Sequence, residues 1–510
     1  MSLSKIAGAL TTAVVAMSAA SAAQNAFPSV RALISDFTPP GIDTGVRDVD
    51  PPRADTLAGA MGNPLPYLRG SIIVKFKPGT APAAQRAMLA RAGASTTMEA
   101  PSYADFNIVT IEENADPEAA ARQLDAQPDV EYAQARYRVH AMFVPNDPLY
   151  SMQWNYPAID MERAWDLNPG ANSSVIVAVL DSGVAYRNAL VRFTAPAFTL
   201  QGGATFPALG QIDVPFAAAP DLGGADRFVS PRDFIWNDAD PLDLDGHGTH
   251  VSGTIGQLTN NGIGVAGMAF NVRLMPVKVI DSTWDDIFGG RGINFGTDDV
   301  VARGVRYAVD NGAKVLNMSI GRTGPPSPLL QEALIYAVAH GAFVSLAAGN
   351  NFENANPTEY PAAYANGIKG VVAVGSVGRD RQRAYYSSTG SYVELAAPGG
   401  NQRAGGAPGG VLQQTFDFSF VETYLNGPAR YRAPRFDVFA YQFFQGTSMA
   451  APHVSGLAAL LLQQGITSPA AIEAAMEQFA TDLGPAGRDD QYGYGLINPR
   501  ASLRGLGLAK

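Results

Sequence analysis

The strongest candidate for chemistry is one serine among small residues, Ser448, in the segment 445–456. An apolar run at helical spacing follows it, so the pattern predicts a helix with Thr447 or Ser448 as its N-cap. Ser448 would then lie at the positive end of the helix dipole, which favours a developing alkoxide. An ordinary capped helix of the core is the alternative interpretation.

A serine hydroxyl is a weak nucleophile and needs a base, usually a histidine that is held by a carboxylate. His453 lies about 140° round the predicted helix from Ser448 and therefore points elsewhere. His247 is the best candidate, because the glycines on both sides of it allow backbone and substrate to approach closely. His247 and His250 could instead be metal ligands, although the chain has no cysteine and no glutamate that completes a zincin motif.

The carboxylate that orients such a histidine is expected at the end of a buried strand. Residues 175–180 form a continuous apolar run rich in β-branched side chains, which is typical of a parallel strand covered on both faces. Asp181 follows this run directly. Open α/β sheets place their sites at the carboxyl ends of their strands, so Asp181 is the candidate partner of His247.

Three motifs carry these residues in a fixed order. Val179-Leu180-Asp181-Ser182-Gly183 comes first, His247-Gly248-Thr249-His250 comes second, and Gly446-Thr447-Ser448-Met449-Ala450 comes third. Together they resemble the subtilisin-like serine proteases, whose catalytic residues follow the order Asp, His, Ser. Residues 316–321 and 343–350 are similar to two further strands of that family.

The resemblance implies a role for each matching residue. Ser448 would be the nucleophile, His247 the general base and acid, and Asp181 the residue that fixes and stabilises the imidazole. Asn350 would donate its side-chain amide to the oxyanion. The other implied residues form the substrate-pairing strand and the walls and floor of a pocket, and they are Ser319, Ile320, Gly321, Ala347, Ala348, Gly349 and Glu359.

Glu359 precedes Tyr360-Pro361-Ala362, and in this family that position lies at the floor of the pocket for the side chain before the cut. A carboxylate in a partly desolvated pocket is costly unless it is paired, so Glu359 would favour Lys or Arg in the substrate. The alternative is that Glu359 bends toward water or pairs with an arginine of its own chain.

A loop after the predicted His247 helix resembles the calcium loop of many relatives. Its candidate ligands offer the hard oxygen atoms that Ca²⁺ prefers, and they are Leu258, Asn260, Asn261, Ile263 and Val265. The loop is one residue longer than the tight form, which leaves open which asparagine is the ligand. A second candidate, with a solvated loop as its alternative, is the acidic group Asp238, Asp240, Asp243 and Asp245. The chemistry itself is expected to require no cofactor.

The composition excludes several classes of function. The chain has 510 residues, a net charge of −10 and no cysteine. The negative charge argues against a general affinity for nucleic acid or anionic membranes. The absence of cysteine excludes disulfides, thiolate metal sites and a cysteine nucleophile. The expected partners are protein or peptide substrates and the chain's own propeptide, and we expect a monomer.

The N-terminal segments predict an exported protein. Residues 1–23 combine a lysine, an apolar stretch and small residues at the end, which is typical of a secretory signal peptide. An uncleaved membrane anchor is the alternative. We expect secretion or transfer to the periplasm, without membrane attachment after signal cleavage. Residues 24–68 are rich in Pro, Gly and Asp and are interpreted as a linker.

Two folded parts are predicted after the linker. Residues 69–141 indicate a small α+β module of order β-α-β-α-β. Its position and its Val130-Glu131-Tyr132 ending resemble the inhibitory propeptide of the family, with an unrelated accessory domain as the alternative. Residues 142–510 alternate strands and helices, which predicts an α/β fold with a doubly wound parallel sheet, as in subtilisin-like enzymes. The resemblance to the family covers roughly residues 145–505.

Two further features concern maturation and substrate access. Cleavage between the module and the protease domain is expected between His140 and Asn146. Residues 190–236 and 400–440 are aromatic and rich in Pro and Gly, and they are interpreted as loop insertions near the substrate groove.

The sequence therefore predicts an exported serine endopeptidase that acts through an acyl-enzyme and is made as a self-processing zymogen. A catalytically inactive peptide-binding protein on the same fold is the alternative from another class. An esterase or transpeptidase that uses the same three residues is a second alternative.

Overall fold

The computed structural model describes residues 67–137, 143–200, 203–289 and 296–505. The predicted signal peptide, nearly all of the predicted linker and residues 140–142 of the expected cleavage region lie outside these ranges. Within the described part of the chain, no helix is both long enough and apolar enough to cross a membrane.

The N-terminal module is an antiparallel sheet against which two helices pack. Its elements in chain order are β1 (Tyr67–Phe76), α1 (Pro82–Arg91), β2 (Ala94–Glu99), β3 (Asn107–Ile111), α2 (Pro117–Asp125) and β4 (Val130–Tyr137). The strands pair in the order β2-β3-β1-β4. Asp116 caps α2 by accepting from the amide of Glu118, and Pro117 occupies the first helical turn. The module has its own apolar core around Ile72, Leu89 and Leu124.

The predicted order β-α-β-α-β was wrong by one strand, because β2 adds an edge strand between α1 and β3. The residues of β2 are Ala-Ser-Thr-Thr-Met-Glu, and only Ala94 is buried. An edge strand with mostly polar side chains lacks the apolar alternation by which a strand is recognised. The observed order is that of a split β-α-β unit.

The second part of the chain is built on a seven-stranded sheet in which every neighbouring pair is parallel. The strands are β5 (Ile176–Asp181), β10 (Arg232–Asp233), β11 (Arg273–Lys278), β12 (Val315–Met318), β13 (Phe343–Ala347), β14 (Val371–Val377) and β15 (Val393–Pro398). They lie in the order β10-β11-β5-β12-β13-β14-β15. The predicted α/β class with a doubly wound parallel sheet is confirmed. Strands β10 and β15 were not predicted.

Both faces of this sheet are covered, as the continuous apolar runs indicated. Successive side chains of a strand point to opposite faces. In β5, Val177 and Val179 belong to one apolar cluster, whereas Ala178 and Leu180 belong to another.

The helices of this part vary from single turns to five turns. They are α3 (Asn155–Ala158), α4 (Met161–Trp165), α5 (His247–Gly256), α6 (Thr283–Gly289), α7 (Asp298–Asp310), α8 (Pro328–Ala339), α9 (Gln402–Gly405), α10 (Phe418–Val421), α11 (Thr447–Gln463), α12 (Pro469–Phe479) and α13 (Pro499–Gly505). Helix α11 is almost entirely buried and packs under β12, β13, β14 and β15.

The two predicted loop insertions contain β-hairpins. The first holds β6 (Ala189–Ala195), β7 (Phe198–Thr199), β8 (Thr205–Phe206) and β9 (Gly210–Phe216). The second holds β16 (Val411–Phe416) and leads into its partner β17 (Phe439–Phe444), which extends beyond the predicted end at residue 440. Phe216 and Phe436 stack at 5.0 Å between ring centroids, and Trp284 of α6 donates to the carbonyl of Val421 at 2.8 Å. The insertions therefore pack on each other and on α6.

Candidate active site

The predicted chemical residues meet at one edge of the parallel sheet. Asp181 is the last residue of β5, and Asn350 lies three residues after the end of β13. His247 is the first residue of α5, and Ser448 is the second residue of α11. Since the carboxyl ends of parallel strands share one edge, Asp181 and Asn350 lie on the same side of the molecule.

The closest contact of the site joins Asp181 to His247. The Nδ1 atom of His247 lies 2.7 Å from Oδ1 of Asp181. Asp181 is fully buried, and its Oδ1 also accepts from the amide of Ser182 at 2.8 Å. Such a buried carboxylate fixes the ring orientation and leaves Nε2 of His247 free to accept a proton.

The imidazole of His247 is unusually basic in this setting. Burial lowers its pKa, but the charge and hydrogen bond of Asp181 and the charges of Asp245 and Asp243 outweigh this effect and raise the pKa to about 9. A neutral imidazole, which is needed to accept a proton, is therefore favoured by alkaline conditions.

Ser448 lies in the first turn of α11, as the sequence pattern indicated, but the predicted cap was wrong. The N-cap residue is Gly446, and it makes no side-chain capping bond. The hydroxyl of Thr447 instead donates to Oδ1 of Asn350 at 3.0 Å and accepts from the amide of Gly349 at 3.2 Å. The Thr447 hydroxyl therefore bonds to residues that follow β13 and does not cap its own helix.

The Ser448 hydroxyl donates to the carbonyl of Ser319 at 3.2 Å. In return, the Ser319 hydroxyl donates to the carbonyl of Ser448 at 2.7 Å. Within the described residues, no hydrogen bond joins Ser448 to His247. A rotation about the Cα–Cβ bond of Ser448 would be required to direct its hydroxyl elsewhere, and catalytic hydrogen bonds are often incomplete without substrate.

Asn350 is oriented by the start of α11. Its Oδ1 accepts from the amide of Thr447 at 2.9 Å, which turns its Nδ2 donor away from that amide. A Cβ atom added at Gly446 would lie 3.6 Å from Nδ2 of Asn350 and 3.6 Å from the amide nitrogen of Ser448. The two donors therefore border the same small space.

Asp243 is a residue whose part in the site was missed by the sequence interpretation. Its buried carboxylate accepts five hydrogen bonds, from the Ser182 hydroxyl, the amides of Asp245, Gly246 and Thr249, and the Thr249 hydroxyl, at 2.6 to 3.0 Å. It thereby connects the turn after Asp181 to the start of the His247 helix. The only signal in the sequence was its place four residues before His247.

The acidic group was proposed as a second calcium site, and the structure does not support that. Asp243 is saturated by donors from its own chain. Asp240 pairs with Arg187 at 2.8 Å and accepts from the hydroxyl of Tyr186 at 3.0 Å. Among the described residues, the carboxylates of this group form no metal-binding cluster.

The other two histidines near the motifs are structural. His250 is buried, and its Nε2 lies 3.1 and 3.0 Å from the carbonyls of Val411 and Gln442. Burial lowers its pKa to about 3. His453 is also buried and lies 2.9 Å from the amide group of Asn155. Nε2 of His250 is thus used by backbone carbonyls, and among the described residues His247 and His250 belong to no group of three metal-ligating side chains.

Glu359 lies between the two segments that were predicted to form the pocket walls. A Cβ atom at Gly349 would come within 2.3 Å of Cγ of Glu359, and one at Gly321 would lie 3.8 Å from its Oε2. Glu359 is 2% exposed, and its Oε1 accepts from the side-chain Nδ2 of Asn351 at 2.7 Å. Glu359 thus does not bend toward water, and its described partner is an asparagine rather than an arginine.

The candidate calcium loop contacts two buried carboxylates that the sequence interpretation missed. Asp147 accepts from the amides of Asn260 and Asn261 at 2.7 and 3.2 Å. Asp221 accepts from the side chain of Asn261 at 2.8 Å and from the amide of Val265 at 3.1 Å. Burial raises the pKa of Asp221 to about 6, and the charge of Asp147 adds to this effect.

The same contacts distinguish the two asparagines of the loop. The side chain of Asn261 faces Asp221, whereas Oδ1 of Asn260 accepts from the amide of Asn146 at 3.2 Å. Two buried carboxylates, an amide side chain and loop carbonyls form an all-oxygen donor set, which suits Ca²⁺.

Comparison with known proteins gives the family. The model described as the subtilase family matches residues 172–495, and the model described as the fervidolysin N-terminal prodomain matches residues 58–135. The chain belongs to the subtilase family, since the first match covers more than half of it. It is a serine-type endopeptidase of this family, with a region similar to a prodomain before it.

Individual relatives agree with this assignment. The chain is 31% identical over 434 residues to a thermophilic serine proteinase of Bacillus sp. (strain AK1), with 85% of this chain and 86% of the relative covered. It is 32% identical over 346 residues to thermitase of Thermoactinomyces vulgaris, with 68% and 94% covered. A solved protease structure from Pseudoalteromonas arctica shares 30% identity at a TM-score of 0.53, with 72% and 100% covered.

Proposed function

We propose that the chain hydrolyses peptide bonds through a covalent acyl-enzyme on Ser448, with His247 and Asp181 as its catalytic partners. The observation that supports this proposal best is the 2.7 Å contact between His247 and the buried Asp181, at the same edge of the sheet as Ser448 and Asn350. It also rests on the membership of the subtilase family.

The proposed reaction begins with a rotation of the Ser448 hydroxyl away from the Ser319 carbonyl. Ser448 then attacks the substrate carbonyl while Nε2 of His247 takes its proton, and the new charge on His247 is stabilised by Asp181. His247 next gives this proton to the leaving amine. Water then attacks the acyl-enzyme while Nε2 of His247 takes its proton, and His247 returns the proton to Oγ of Ser448 as the carboxylic acid product leaves.

The oxyanion of each tetrahedral intermediate would lie in the space bordered by two donors, Nδ2 of Asn350 and the amide of Ser448. Fixed donors of this kind typically contribute about 10²–10³ to the rate. The bond from Thr447 to Oδ1 of Asn350 holds the donor nitrogen in place before substrate arrives.

Substrate would add as a strand beside Ser319, Ile320 and Gly321, so that backbone bonds provide affinity and pockets provide selectivity. Ala347, Ala348 and Gly349 would form the opposite wall. The buried carboxylate of Glu359 lies against Gly321 and Gly349. A Lys or Arg side chain before the cut would give this carboxylate the cationic partner that a buried charge requires.

Peptidase activity can be distinguished from esterase or transpeptidase activity by assaying casein beside an activated ester. We expect both to be cut by the wild type and neither by Ser448→Ala, with Ser391→Ala as the matched control of full activity. An enzyme that cleaves the ester and leaves casein intact would contradict the proposal.

Calcium at the loop would be structural. Asp147, Asp221, Asn261 and the carbonyls of Leu258, Ile263 and Val265 would hold the ion and thereby tie residues 146 and 147 to the domain. We expect chelator to lower the melting temperature of the wild type by more than that of Asp221→Asn. An equal shift in the two proteins would exclude a structural ion at this loop.

Self-processing would release the N-terminal module. The ring of Phe143 packs on Trp165 at 5.7 Å, and the amide of Phe143 donates to Asp166 at 3.0 Å. Since Asn146 and Asp147 are also bound to the domain, cleavage before Phe143 would leave these contacts intact. We expect Ser448→Ala, expressed in a protease-free host, to accumulate as the unprocessed chain. Normal maturation of that variant would contradict self-processing.

Export is proposed from the signal-like residues 1–23 alone. Intact mass and N-terminal sequencing of protein from the culture medium and from the periplasm would give the compartment and both cleavage points.

A further inference from the structure

Helix α11 contains a proline one turn after the proposed nucleophile. Pro452 lies inside the helix, four residues after Ser448. Proline has no N–H group, so residue 452 cannot donate the usual helical hydrogen bond to the carbonyl of Ser448. A backbone carbonyl that is buried without a donor is costly. The carbonyl of Ser448 therefore needs a donor from another element.

The segment that follows strand β12 supplies this donor. Ser319 comes directly after β12 and is 4% exposed. Its hydroxyl donates to the carbonyl of Ser448 at 2.7 Å. The helical bond that Pro452 removes is thus replaced by a bond to the segment along which substrate is proposed to pair.

The hydroxyl of Ser319 is oriented by a buried asparagine of β12. Nδ2 of Asn317 donates to Oγ of Ser319 at 3.0 Å, and Oδ1 of Asn317 accepts from the hydroxyl of Ser455 at 2.9 Å. A carbonyl can only accept, so the Ser319 hydroxyl must direct its hydrogen to Ser448 and accept from Asn317. Three hydrogen bonds therefore run in one direction, from Ser455 to the carbonyl of Ser448.

This series of hydrogen bonds begins and ends on one face of α11. Ser455 lies seven residues after Ser448, which is about two helical turns. Asn317 and Ser455 are both fully buried. Two points of the helix are therefore fixed against β12, and one of them is the peptide group of the proposed nucleophile.

We propose that Ser319 and Asn317 position the nucleophile for peptide hydrolysis by holding the carbonyl of Ser448. This inference rests on the proposed function. Substrate is expected to pair with the backbone of residues 319–321, so the Ser319 hydroxyl ties the nucleophile to the same residue that places the substrate. The position of Ser448 relative to the bound substrate is thereby set in advance. A small displacement of reacting groups costs much of the rate.

The first variant is Ser319→Ala, which removes the hydroxyl but keeps the backbone that pairs with substrate. We expect kcat on a peptide substrate to fall about 10–100-fold. KM should stay within about twofold of the wild-type value, because the lost interaction acts in the transition state. An unchanged kcat, or a loss confined to KM, would overturn the proposal.

Ser345→Ala is the matched control for a general loss of stability. Ser345 is a buried serine of β13, and its hydroxyl donates to the carbonyl of Ala451 in the same helix at 2.9 Å. Residue 455 has an N–H group, so the carbonyl of Ala451 does not depend on Ser345 for a donor. We expect both variants to lose thermal stability and only Ser319→Ala to lose kcat. An equal fall of kcat in both variants would overturn the proposal.

A further variant, Pro452→Ala, tests whether Ser319 acts through the carbonyl of Ser448. Alanine restores an N–H group at residue 452, which can donate to this carbonyl. In this background Ser319→Ala should lower kcat by less than about threefold, since the two donors compensate for each other. The same loss of kcat in both backgrounds would overturn the proposal. Should Pro452→Ala not fold, Ser319→Thr keeps the hydroxyl and should recover most of the kcat that Ser319→Ala loses, and no recovery would overturn the proposal.

Ser448→Ala, measured in parallel, separates this inference from the proposed function. It should have no peptidase activity. Activity that survives in Ser448→Ala would contradict the proposed function itself. An inactive Ser448→Ala together with full kcat in Ser319→Ala would contradict only the positioning by Ser319.

Discussion

Two buried carboxylates of this protein have opposite surroundings. Asp243 accepts five hydrogen bonds from neighbouring backbone and hydroxyl groups. Glu394 has a buried oxygen for which the described residues provide no donor, and it faces two further glutamates. Glu359 is intermediate, because Oε1 accepts from the Asn351 side chain whereas Oε2 lies toward Gly321 of the proposed pocket.

The difference indicates what each carboxylate does. A carboxylate saturated by its own chain is held rigidly and can hold other residues in turn, as Asp243 does for the Asp181 turn and the His247 helix. A carboxylate without internal partners needs something from outside the fold. Glu359 has one described partner, Asn351, and we expect a substrate cation to provide the second.

The largest effect is expected from Asp243→Asn. Asparagine has the same shape, but its NH₂ group would face an N–H or O–H donor, so at least one buried donor would lose its acceptor. A shift of the loop by a fraction of an ångström would misplace His247, and kcat/KM should fall about 100-fold.

The pH profile of the variant distinguishes this positioning role of Asp243 from a merely structural one. Because the charge of Asp243 helps to raise the pKa of His247, the variant's remaining activity should have its acid limb at lower pH. A loss of thermal stability with unchanged kcat/KM and an unchanged pH profile at permissive temperature would contradict the positioning role.

The next effect concerns Glu359→Gln. The amide keeps the bond to Asn351 but removes the charge, so the preference for Lys over Leu before the cut should fall about tenfold, or about 1.4 kcal/mol. Matched peptides that differ only at this position measure the ratio of kcat/KM. An unchanged ratio would show that Glu359 does not sense the charge of the substrate.

A smaller effect is expected from Asp245→Asn. The neutral form of His247 accepts the proton, so kcat/KM should rise with pH through the pKa of His247, which is about 9. Asp245 raises this pKa, and its neutralisation should move the acid limb to lower pH and increase activity near neutrality. The kcat/KM of the wild type and of Asp245→Asn is measured over a pH series. An acid limb that lies at higher pH in the variant would contradict this prediction.

The smallest effect on catalysis is expected from Glu394→Gln. Glu394 is not among the contacts of the catalytic residues, so kcat/KM should equal that of the wild type within about twofold. A large loss of kcat/KM at 25 °C would place Glu394 in the catalytic machinery and contradict this prediction.

The parts of the molecule that could be predicted from sequence are those with strong local patterns. The apolar run that became β5 and the apolar run after Ser448 that became α11 were recognised, because a buried parallel strand and a buried helix leave a continuous signal. The family was predicted from three short motifs, and it is confirmed.

The missed features depend on contacts between distant residues. Asp147 and Asp221 lie far from residues 258–265 in sequence and meet them only through the fold. The cap of α11 was predicted from local propensity, but Thr447 serves Asn350, which is 97 residues away. Glu394 and Glu473 likewise belong to different elements, so no local pattern could identify their cluster.

The most direct test of the account is the site of covalent labelling. The purified protein is treated with a fluorophosphonate, digested and analysed by mass spectrometry, with His247→Ala and Asp181→Asn treated in parallel. We expect one adduct per chain on Ser448, with labelling strongly slowed in both variants. A chain that cleaves casein but carries no adduct on Ser448, or one whose labelling is unaffected by loss of His247, would contradict it.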